Sequence, residues 1–363
     1  MRLSIPALAI ALLVGSHTSR SSLQVVAQFG DHQVTGVAVS PTRRIFVSFP
    51  HWLSDTGVSV AEVMPDGSLR PYPNAEWNRW RPGDSAGVAD HFVCVQSVYV
   101  DPRGYLWILD PAAPGADQRQ VIPHGPKLLE VDLRTNHVMR VYRFDEKIAP
   151  ARSYLNDVRV DHQGTYAYLT ESGLGALIVL DLAGGAARRV LEGHPSTQAD
   201  TTRPLTIDRR TVVGPDGSVP RINADGIALS PDDQYLYYQA LIGRTRYRVP
   251  TAELRNRALL PAALAAHVQT VGPTTISDGY WMTPGGQLYF GSIEDNEVLR
   301  QDSTGRPVVV AHDDRLQWPD SFAEGPDSAI YVTASQIQHM PGYNRGKSTR
   351  TQPYTLFRFK PQG

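Results

Sequence analysis

Six polar residues occupy the same position in six copies of a repeated segment, and their types could support metal binding or proton transfer. Each stands directly before a small or acidic residue at the start of a short apolar run. These residues form the axial column: Thr35, Gln96, Asn156, Asp225, Asp278 and Asp320. Carboxylate and amide oxygens are the ligands of Ca²⁺, which takes ~6–8 of them. Without a cation, converging carboxylates repel one another and the pKa of at least one rises, which suits acid–base chemistry.

The residue types in the axial column leave three interpretations open. Ca²⁺ or another divalent cation could be held by a set of five residues: Gln96, Asn156, Asp225, Asp278 and Asp320. The three aspartates could instead transfer protons. The third interpretation is structural, because Asp and Asn at the start of a strand commonly bond local backbone amides or ordered water.

Long connecting segments add candidates for a small-molecule pocket. Aromatic and imidazole side chains near carboxylates are typical of such pockets. The predicted ligand-binding residues are Trp77, Trp80, His124 and Trp318, and His91 is a further candidate for proton transfer. The longest connection, 193–221, is predicted to form part of a rim or lid.

A repeated strand–turn–strand pattern must position these residues. The six copies begin at the axial column, and five of them have proline at the turn: Pro41, Pro102, Pro231, Pro284 and Pro326. His162 takes this position in the third copy. A second strand–turn–strand segment follows each copy, so each unit has four strands. Six such units predict an all-β, six-bladed β-propeller, whereas a β-sandwich would not require six aligned copies.

The ends of the chain are predicted to close the propeller. The sixth unit lacks one strand, and the unassigned strand-like segment 23–29 precedes the first unit. We expect it to pair into the C-terminal blade, which would make residues 17–363 one domain. In the fourth unit, residues 251–266 are predicted to include a short helix.

The remaining features narrow the location and the partners of the protein. Residues 1–16 have the basic start, apolar run and small residues of a secretory signal peptide, which predicts a secreted or periplasmic protein without an integral membrane segment after cleavage. The net charge of −1 does not favour nucleic acid or an anionic membrane. Neither a phosphate-binding loop nor a dinucleotide fingerprint occurs, so no organic cofactor is expected. Cys94 is the only cysteine, and the sequence indicates no oligomeric state.

Several segments resemble one protein family. "QSVYVDPRGYLWILD", "LNDVRVD" and "LQWPDSFAEGPDSAIYVTA" are similar to segments of the major royal jelly protein/Yellow family, and the resemblance to its bacterial members extends over about residues 24–360. It implies a six-bladed propeller and secretion. Members of this family are linked to dopachrome conversion, to binding of biogenic amines and to nutrition.

A more distant resemblance is to the gluconolactonase/senescence-marker propellers. In those proteins a Glu, two Asn and an Asp hold a divalent metal on the axis. Asn156 and Asp278 match two of these residue types. Asp225 replaces the other Asn, and Thr35 stands where the Glu would be.

Three functions follow as hypotheses, each using a small molecule at the central channel. The first is a dopachrome-tautomerase-like isomerase, in which the axial carboxylates or a rim histidine move a proton. The second is a divalent-metal-dependent lactonase, in which Asp278 activates water. The third is a non-catalytic protein that binds an aromatic or amine ligand.

Overall fold

A computed structural model describes residues 22–53, 57–84, 86–115, 120–351 and 353–361. Within these ranges the chain forms six four-stranded antiparallel sheets and one two-stranded hairpin. The first strand of each sheet contacts the first strand of the next sheet, and this ring closes on itself. The predicted all-β, six-bladed propeller is therefore confirmed, with the first strand of each blade innermost.

The first three blades use consecutive segments of the chain. Blade 1 contains β2 (Val37–Val39), β3 (Ile45–Ser48), β4 (Val60–Val63) and β5 (Leu69–Pro71). Blade 2 contains β6 (Ser97–Val100), β7 (Tyr105–Asp110), β8 (Lys127–Asp132) and β9 (His137–Arg143). Blade 3 contains β10 (Leu155–Val160), β11 (Tyr166–Glu171), β12 (Ala176–Asp181) and β13 (Ala187–Val190). The hairpin of β14 (Thr206–Ile207) and β15 (Arg210–Thr211) follows, inside the long connection predicted to be a rim or lid.

The last three blades include the helices and the ring closure. Blade 4 contains β16 (Ala224–Leu229), β17 (Tyr235–Ala240), β18 (Thr245–Pro250), the helices α1 (Thr251–Arg255) and α2 (Pro261–Ala265), and β19 (Gln269–Pro273). Blade 5 contains β20 (Tyr280–Met282), β21 (Leu288–Ser292), β22 (Glu297–Gln301) and β23 (Pro307–His312). Blade 6 contains β24 (Pro319–Glu324), β25 (Ile330–Ala334), β26 (Thr355–Phe359) and β1 (Gln24–Gln28). Short 3₁₀ turns occur at Pro195–Thr197, Ile337–His339 and Pro341–Tyr343.

The N-terminal strand completes the last blade, as the strand count predicts. β1 pairs antiparallel with β26, so that Gln24 lies opposite Arg358 and Gln28 lies opposite Thr355. A second link joins blades 6 and 1 beside the axis, where the Thr333 hydroxyl donates a 2.6 Å hydrogen bond to the Thr35 carbonyl. The ring is thus closed both at its outer edge and at its centre.

The apolar cores lie between neighbouring blades. One core joins blades 2 and 3 through residues that include Trp107, Leu128, Val158 and Leu180. Because strands packed on both faces bury both sets of alternating side chains, the inner strands read as continuous apolar runs. Among the described residues no helix is long and apolar enough to cross a membrane. The predicted signal peptide lies outside the described residues.

Candidate functional site

The axial column lies at the starts of the innermost strands, as the repeat predicts. All six side chains are buried, with at most 5% of each residue exposed. In blades 3, 4 and 6 the pairing register shifts at the column residue, between Leu155 and Val158, between Ala224 and Ile227, and between Pro319 and Phe322. Such β-bulges turn a side chain away from the regular alternation. The bulges therefore help to direct column residues toward the axis.

Glycines after two of the aspartates allow the strand starts to pack against one another. A Cβ atom on Gly226 would clash with the carbonyl of Asp278, and one on Gly279 would clash with the carbonyl of Asp320. The Gly279 amide donates a 2.7 Å hydrogen bond to that same Asp320 carbonyl. The Asp-Gly pairs thus bring the acidic residues of blades 4, 5 and 6 close together.

Asp225 and Asp278 form a buried carboxyl pair. The two side chains share a hydrogen bond, which requires that one of them carry a proton. Burial raises the pKa of Asp278 to about 6, although the hydrogen bonds from Asp225 and Trp318 act in the opposite direction. Burial and the charge of Asp278 raise the pKa of Asp225 well above its usual range. Asp225 is therefore the acid of the pair and Asp278 the carboxylate.

The Trp318 indole holds the carboxylate of this pair. Its Nε1 donates a 2.7 Å hydrogen bond to Oδ2 of Asp278, and Trp318 is only 1% exposed. This contact places the Trp318 indole beside an axial carboxylate, and the role of Trp318 in ligand binding stays a prediction. The indole keeps its N–H when the Asp278 carboxyl loses its proton. This hydrogen bond therefore favours the charged form of Asp278.

Two further buried carboxyls surround the pair. Burial and then the Asp278 charge raise the pKa of Asp320 well above its usual range, and burial raises the pKa of Asp157. Asp157, one residue after the column, is a site residue that the sequence analysis missed. Oδ1 of Asp225 and Oδ2 of Asp320 accept no hydrogen bond from the described part of the chain. A buried carboxylate oxygen without a hydrogen-bond donor is costly, so both Asp225 and Asp320 favour the neutral acid.

The other half of the column is a neutral hydrogen-bond network. The Tyr154 hydroxyl donates a 2.8 Å bond to Oε1 of Gln96 and accepts a 3.0 Å bond from the Trp52 indole. The Thr35 hydroxyl donates to the Gln96 carbonyl at 2.8 Å. Asn156 lies between the two halves and is 5% exposed. The acidic residues of the column itself therefore lie in blades 4, 5 and 6, and Asp157 of blade 3 is the buried carboxyl beside them.

The donor arrangement does not fit the predicted calcium site well. Within the described ranges, no three His, Cys, Asp or Glu side chains are grouped so that they could hold a metal ion. Oδ2 of Asp278 already accepts the Trp318 N–H, and Oε1 of Gln96 already accepts the Tyr154 hydroxyl. A divalent cation on the axis stays an untested prediction.

Loops from several blades cover the column with an apolar lid. The lid cluster includes Trp52, Trp80, Cys94, Tyr154, Leu205, Ile207, Val212, Ile276, Trp318 and Met340. Three of these residues come from the long connection 193–221, which places its hairpin in the lid. Burial raises the pKa of the Cys94 thiol well above its usual range. The lid explains why the carboxyls are desolvated.

The remaining predicted site residues do not converge on the carboxyls. Trp77 packs on Phe92 at a ring-centroid distance of 5.2 Å, and Trp80 lies in the lid cluster. His91 contacts the Gly87 carbonyl through Nδ1 and Glu76 through Nε2. His124 is exposed in a loop. The contacts of Trp77, Trp80 and His91 hold loops together and do not bring these side chains to the carboxyl pair.

A second set of equivalent repeat positions reaches across the channel through its larger side chains. It lies three positions after the column and forms the plug layer: Ala38, Tyr99, Arg159, Ala228, Trp281 and Ala323. Tyr99 and Trp281 come from the opposite blades 2 and 5, yet their ring centroids are 6.3 Å apart. From blade 3, Arg159 donates a 2.6 Å hydrogen bond to the Tyr280 carbonyl of blade 5. The sequence analysis missed this layer, although the same six aligned repeats contain it.

Four residues of the plug layer form the floor of a cavity on the other side of the ring: Tyr99, Arg159, Ala228 and Trp281. This turn-face cavity has a volume of about 420 Å³ and includes Tyr99, Arg159, Trp281 and Glu324 in its lining. The five repeat prolines and His162 form its rim. None of the site residues predicted from the sequence lines it. The structure therefore has two regions of interest on the axis, a closed carboxyl site and an open cavity.

Comparison with known proteins identifies related sequences. A model of the family described as "Major royal jelly protein" matches residues 93–359. Major royal jelly protein 3 of Apis mellifera is 26% identical over 272 residues, which are 69% of this chain and 45% of that protein. Protein yellow of Drosophila melanogaster is 24% identical over 305 residues, which are 79% of this chain and 52% of that protein. The chain spans about half the length of the curated relatives it matches.

Solved structures extend the similarity of the fold. A gluconolactonase from Xanthomonas campestris aligns with a TM-score of 0.53 and 15% identity, covering 94% of this chain and 90% of that chain. At this identity the likeness concerns the propeller fold alone.

Proposed function

The chain belongs to the major royal jelly protein family, and we propose that it is a secreted isomerase that moves a proton within a small quinonoid aromatic molecule such as dopachrome. The hydrogen-bonded pair of Asp225 and Asp278 carries this proposal. Two carboxyls whose environments drive their pKa values apart supply an acid and a base at the same pH. A tautomerisation needs both and requires no oxidant.

The two aspartates have distinct roles in the proposed reaction. The Asp278 carboxylate removes a proton from a ring carbon, and the electrons of that C–H bond form a new C=C bond. The conjugated double bonds shift, and the carbonyl oxygen of the quinonoid takes the proton of Asp225. Substrate and product then have the same atoms and the same number of electrons.

The hydrogen bond within the pair restores the starting state. After the reaction Asp278 carries the proton and Asp225 is ionised. Asp225 has the higher pKa, so the proton returns to it along the hydrogen bond. Trp318 keeps Asp278 oriented throughout, since its indole N–H can only donate.

The substrate must pass the lid, because Asp225 and Asp278 are 1% and 4% exposed. The lid consists of loop side chains rather than of blade strands. Its opening would admit a substrate, and its closure would exclude water from the carboxyls.

Turnover of dopachrome by the purified protein tests the proposal. Asp278→Asn and Asp225→Asn should each lower kcat by ~10²–10⁴, the usual contribution of a general acid or base. The kcat of the wild type should rise with pH through about 6 as Asp278 ionises. Circular dichroism of each variant would establish that it is folded.

Asp320→Asn is the matched control. Asp320 is equally buried, but its Oδ1 accepts a 3.3 Å hydrogen bond from the Ser321 hydroxyl, and it lies outside the Asp225–Asp278 pair. Its replacement should lower kcat by less than ~10-fold. Turnover that survives both pair variants would rule out the proposed mechanism, and ligand binding without any turnover would favour a binding protein.

A further inference from the structure

We propose that the turn-face cavity is a separate binding site for a small planar aromatic carboxylate. The ring of the ligand would stack on Tyr99 and Trp281, and its carboxylate would pair with Arg159. This site lies on the opposite side of the plug layer from the carboxyl pair and does not depend on isomerase activity.

The cavity has the size and lining of a small-molecule site. Its volume of about 420 Å³ lies within the range of ~300–1,000 Å³ that is usual for such sites. Tyr99 and Trp281 are both partly exposed and line the cavity, and the Arg159 guanidinium lies 5.1 Å from the centroid of the Tyr99 ring. Ala228 also lines the cavity, and its small side chain leaves space for a ligand beside the rings of Tyr99 and Trp281.

The rim is formed in advance. Five of the six innermost strands are followed, two residues after their last residue, by a proline that lines the cavity: Pro41, Pro102, Pro231, Pro284 and Pro326. Proline fixes one backbone dihedral of each turn. Little conformational entropy is therefore lost at the rim when a ligand binds.

The charges in the lining favour an anion at the floor. Arg159 donates to the carbonyls of Val158 and Tyr280 at 2.7 and 2.6 Å, and both of these acceptors are neutral. The carboxylate nearest to it is that of Asp157, with Oδ2 at 3.8 Å from Nη2. Arg159 is 8% exposed, so its charge is poorly hydrated as well as incompletely paired. A ligand carboxylate would supply the missing countercharge.

The acidic groups of the lining already hold donors. Asp101 accepts from Arg103 at 2.6 Å, and Asp233 accepts from Nδ1 of His162 at 2.8 Å. Glu324 accepts from the Trp281 indole at 3.2 Å. Glu324 stands at the end of β24, one residue farther out than the plug layer, where it would repel a second negative charge. The ligand is therefore expected to be a monoanion with its charge toward the floor.

Calorimetric titration with three related probes tests this charge preference. Indole-3-acetate should bind at least ~10-fold more tightly than indole or tryptamine, because a charge-assisted hydrogen bond contributes at least this factor. Tryptamine binding as tightly as indole-3-acetate would overturn the proposal. So would the absence of indole-3-acetate binding at millimolar concentrations.

Variants of the floor locate the probe. Arg159→Gln should weaken indole-3-acetate binding by ~10-fold or more in the same titration, and Trp281→Phe should weaken it as well, because part of the stacking surface is lost. Trp77→Phe is the matched control, since Trp77 packs on Phe92 outside the cavity. Should Arg159→Gln fail to fold, the comparison of the three probes with the wild type and the Trp281→Phe variant still test the proposal. Equal affinities of the Trp281→Phe and Trp77→Phe variants for indole-3-acetate would place the probe elsewhere and overturn the proposal.

Discussion

At the scale of single residues, the protein places chemically identical side chains in different protonation states. Asp225, Asp278 and Asp320 occupy equivalent repeat positions, but only Asp278 receives an indole N–H. That donor stabilises the anion, whereas the buried, unsatisfied oxygens of Asp225 and Asp320 disfavour it. The difference between acid and base thus comes from neighbours contributed by other parts of the chain.

The raised pKa of Asp278 predicts a particular pH dependence of stability. Its folded value of about 6 exceeds the unfolded value of ~3.9. The stabilisation of the protonated group is therefore fully present below about pH 4 and is lost as the pH rises through about 6. Asp278→Asn lacks this titrating group. Between about pH 4 and 7 its free energy of unfolding should therefore fall by about 3 kcal/mol less than that of the wild type.

Urea unfolding at several pH values between about 4 and 7 would measure this effect. Asp302→Asn is a suitable control because Asp302 lies partly exposed in the turn between β22 and β23, and the Thr304 hydrogen bond lowers its pKa. It should leave the fall in stability unchanged. An identical fall in wild type and Asp278→Asn would contradict the assignment of Asp278.

The sequence predicted which residues reach the axis but not how they pair. Six aligned copies are sufficient to define the column, because equivalent positions of a repeat occupy equivalent places. The Asp225–Asp278 hydrogen bond depends on bulges and on burial by the lid, and neither is visible in strand periodicity. For the same reason Trp80, His91 and His124 could not be assigned, since loop geometry decides where they point.

At the scale of elements, the starts of the innermost strands control the site. Gly279 illustrates this control, because the carbonyl of Asp320 occupies the space of its missing side chain. Strand pairing within a blade is predictable from alternation. The contact between the strand starts of different blades cannot be predicted from alternation. This contact determines how closely the carboxyls approach one another.

Gly279→Ala should therefore destabilise the protein. The added methyl group would clash with backbone, which cannot rotate away, so we expect a loss of ~1–3 kcal/mol as in other overpacked positions. Gly285→Ala in the same blade is the control, because its Cβ would meet only the Thr283 hydroxyl at 3.8 Å. Equal urea midpoints for the two variants would contradict this account of the strand starts.

At the scale of the whole molecule, the ring depends on a strand from the other end of the chain. β1 covers the edge of β26 and contributes Ala27 to a core that also contains Phe29, Phe49 and Tyr354. The rings of Phe29 and Phe49 are 5.4 Å apart. Counting strands was enough to predict this closure, because an uncovered edge and a spare strand complement each other.

Phe29→Ala should weaken the closure by ~3–5 kcal/mol, the usual cost of truncating a buried phenylalanine. Val25→Ala, within β1 itself, should cost much less, since Val25 is 45% exposed. Urea unfolding would compare the two variants. A chain that begins at residue 30 should unfold more easily than one that begins at residue 22, and a peptide of residues 22–30 should restore part of the loss by pairing with β26. If the shortened chain were as stable as the longer one and ignored the peptide, β1 would not be the strand that closes the propeller.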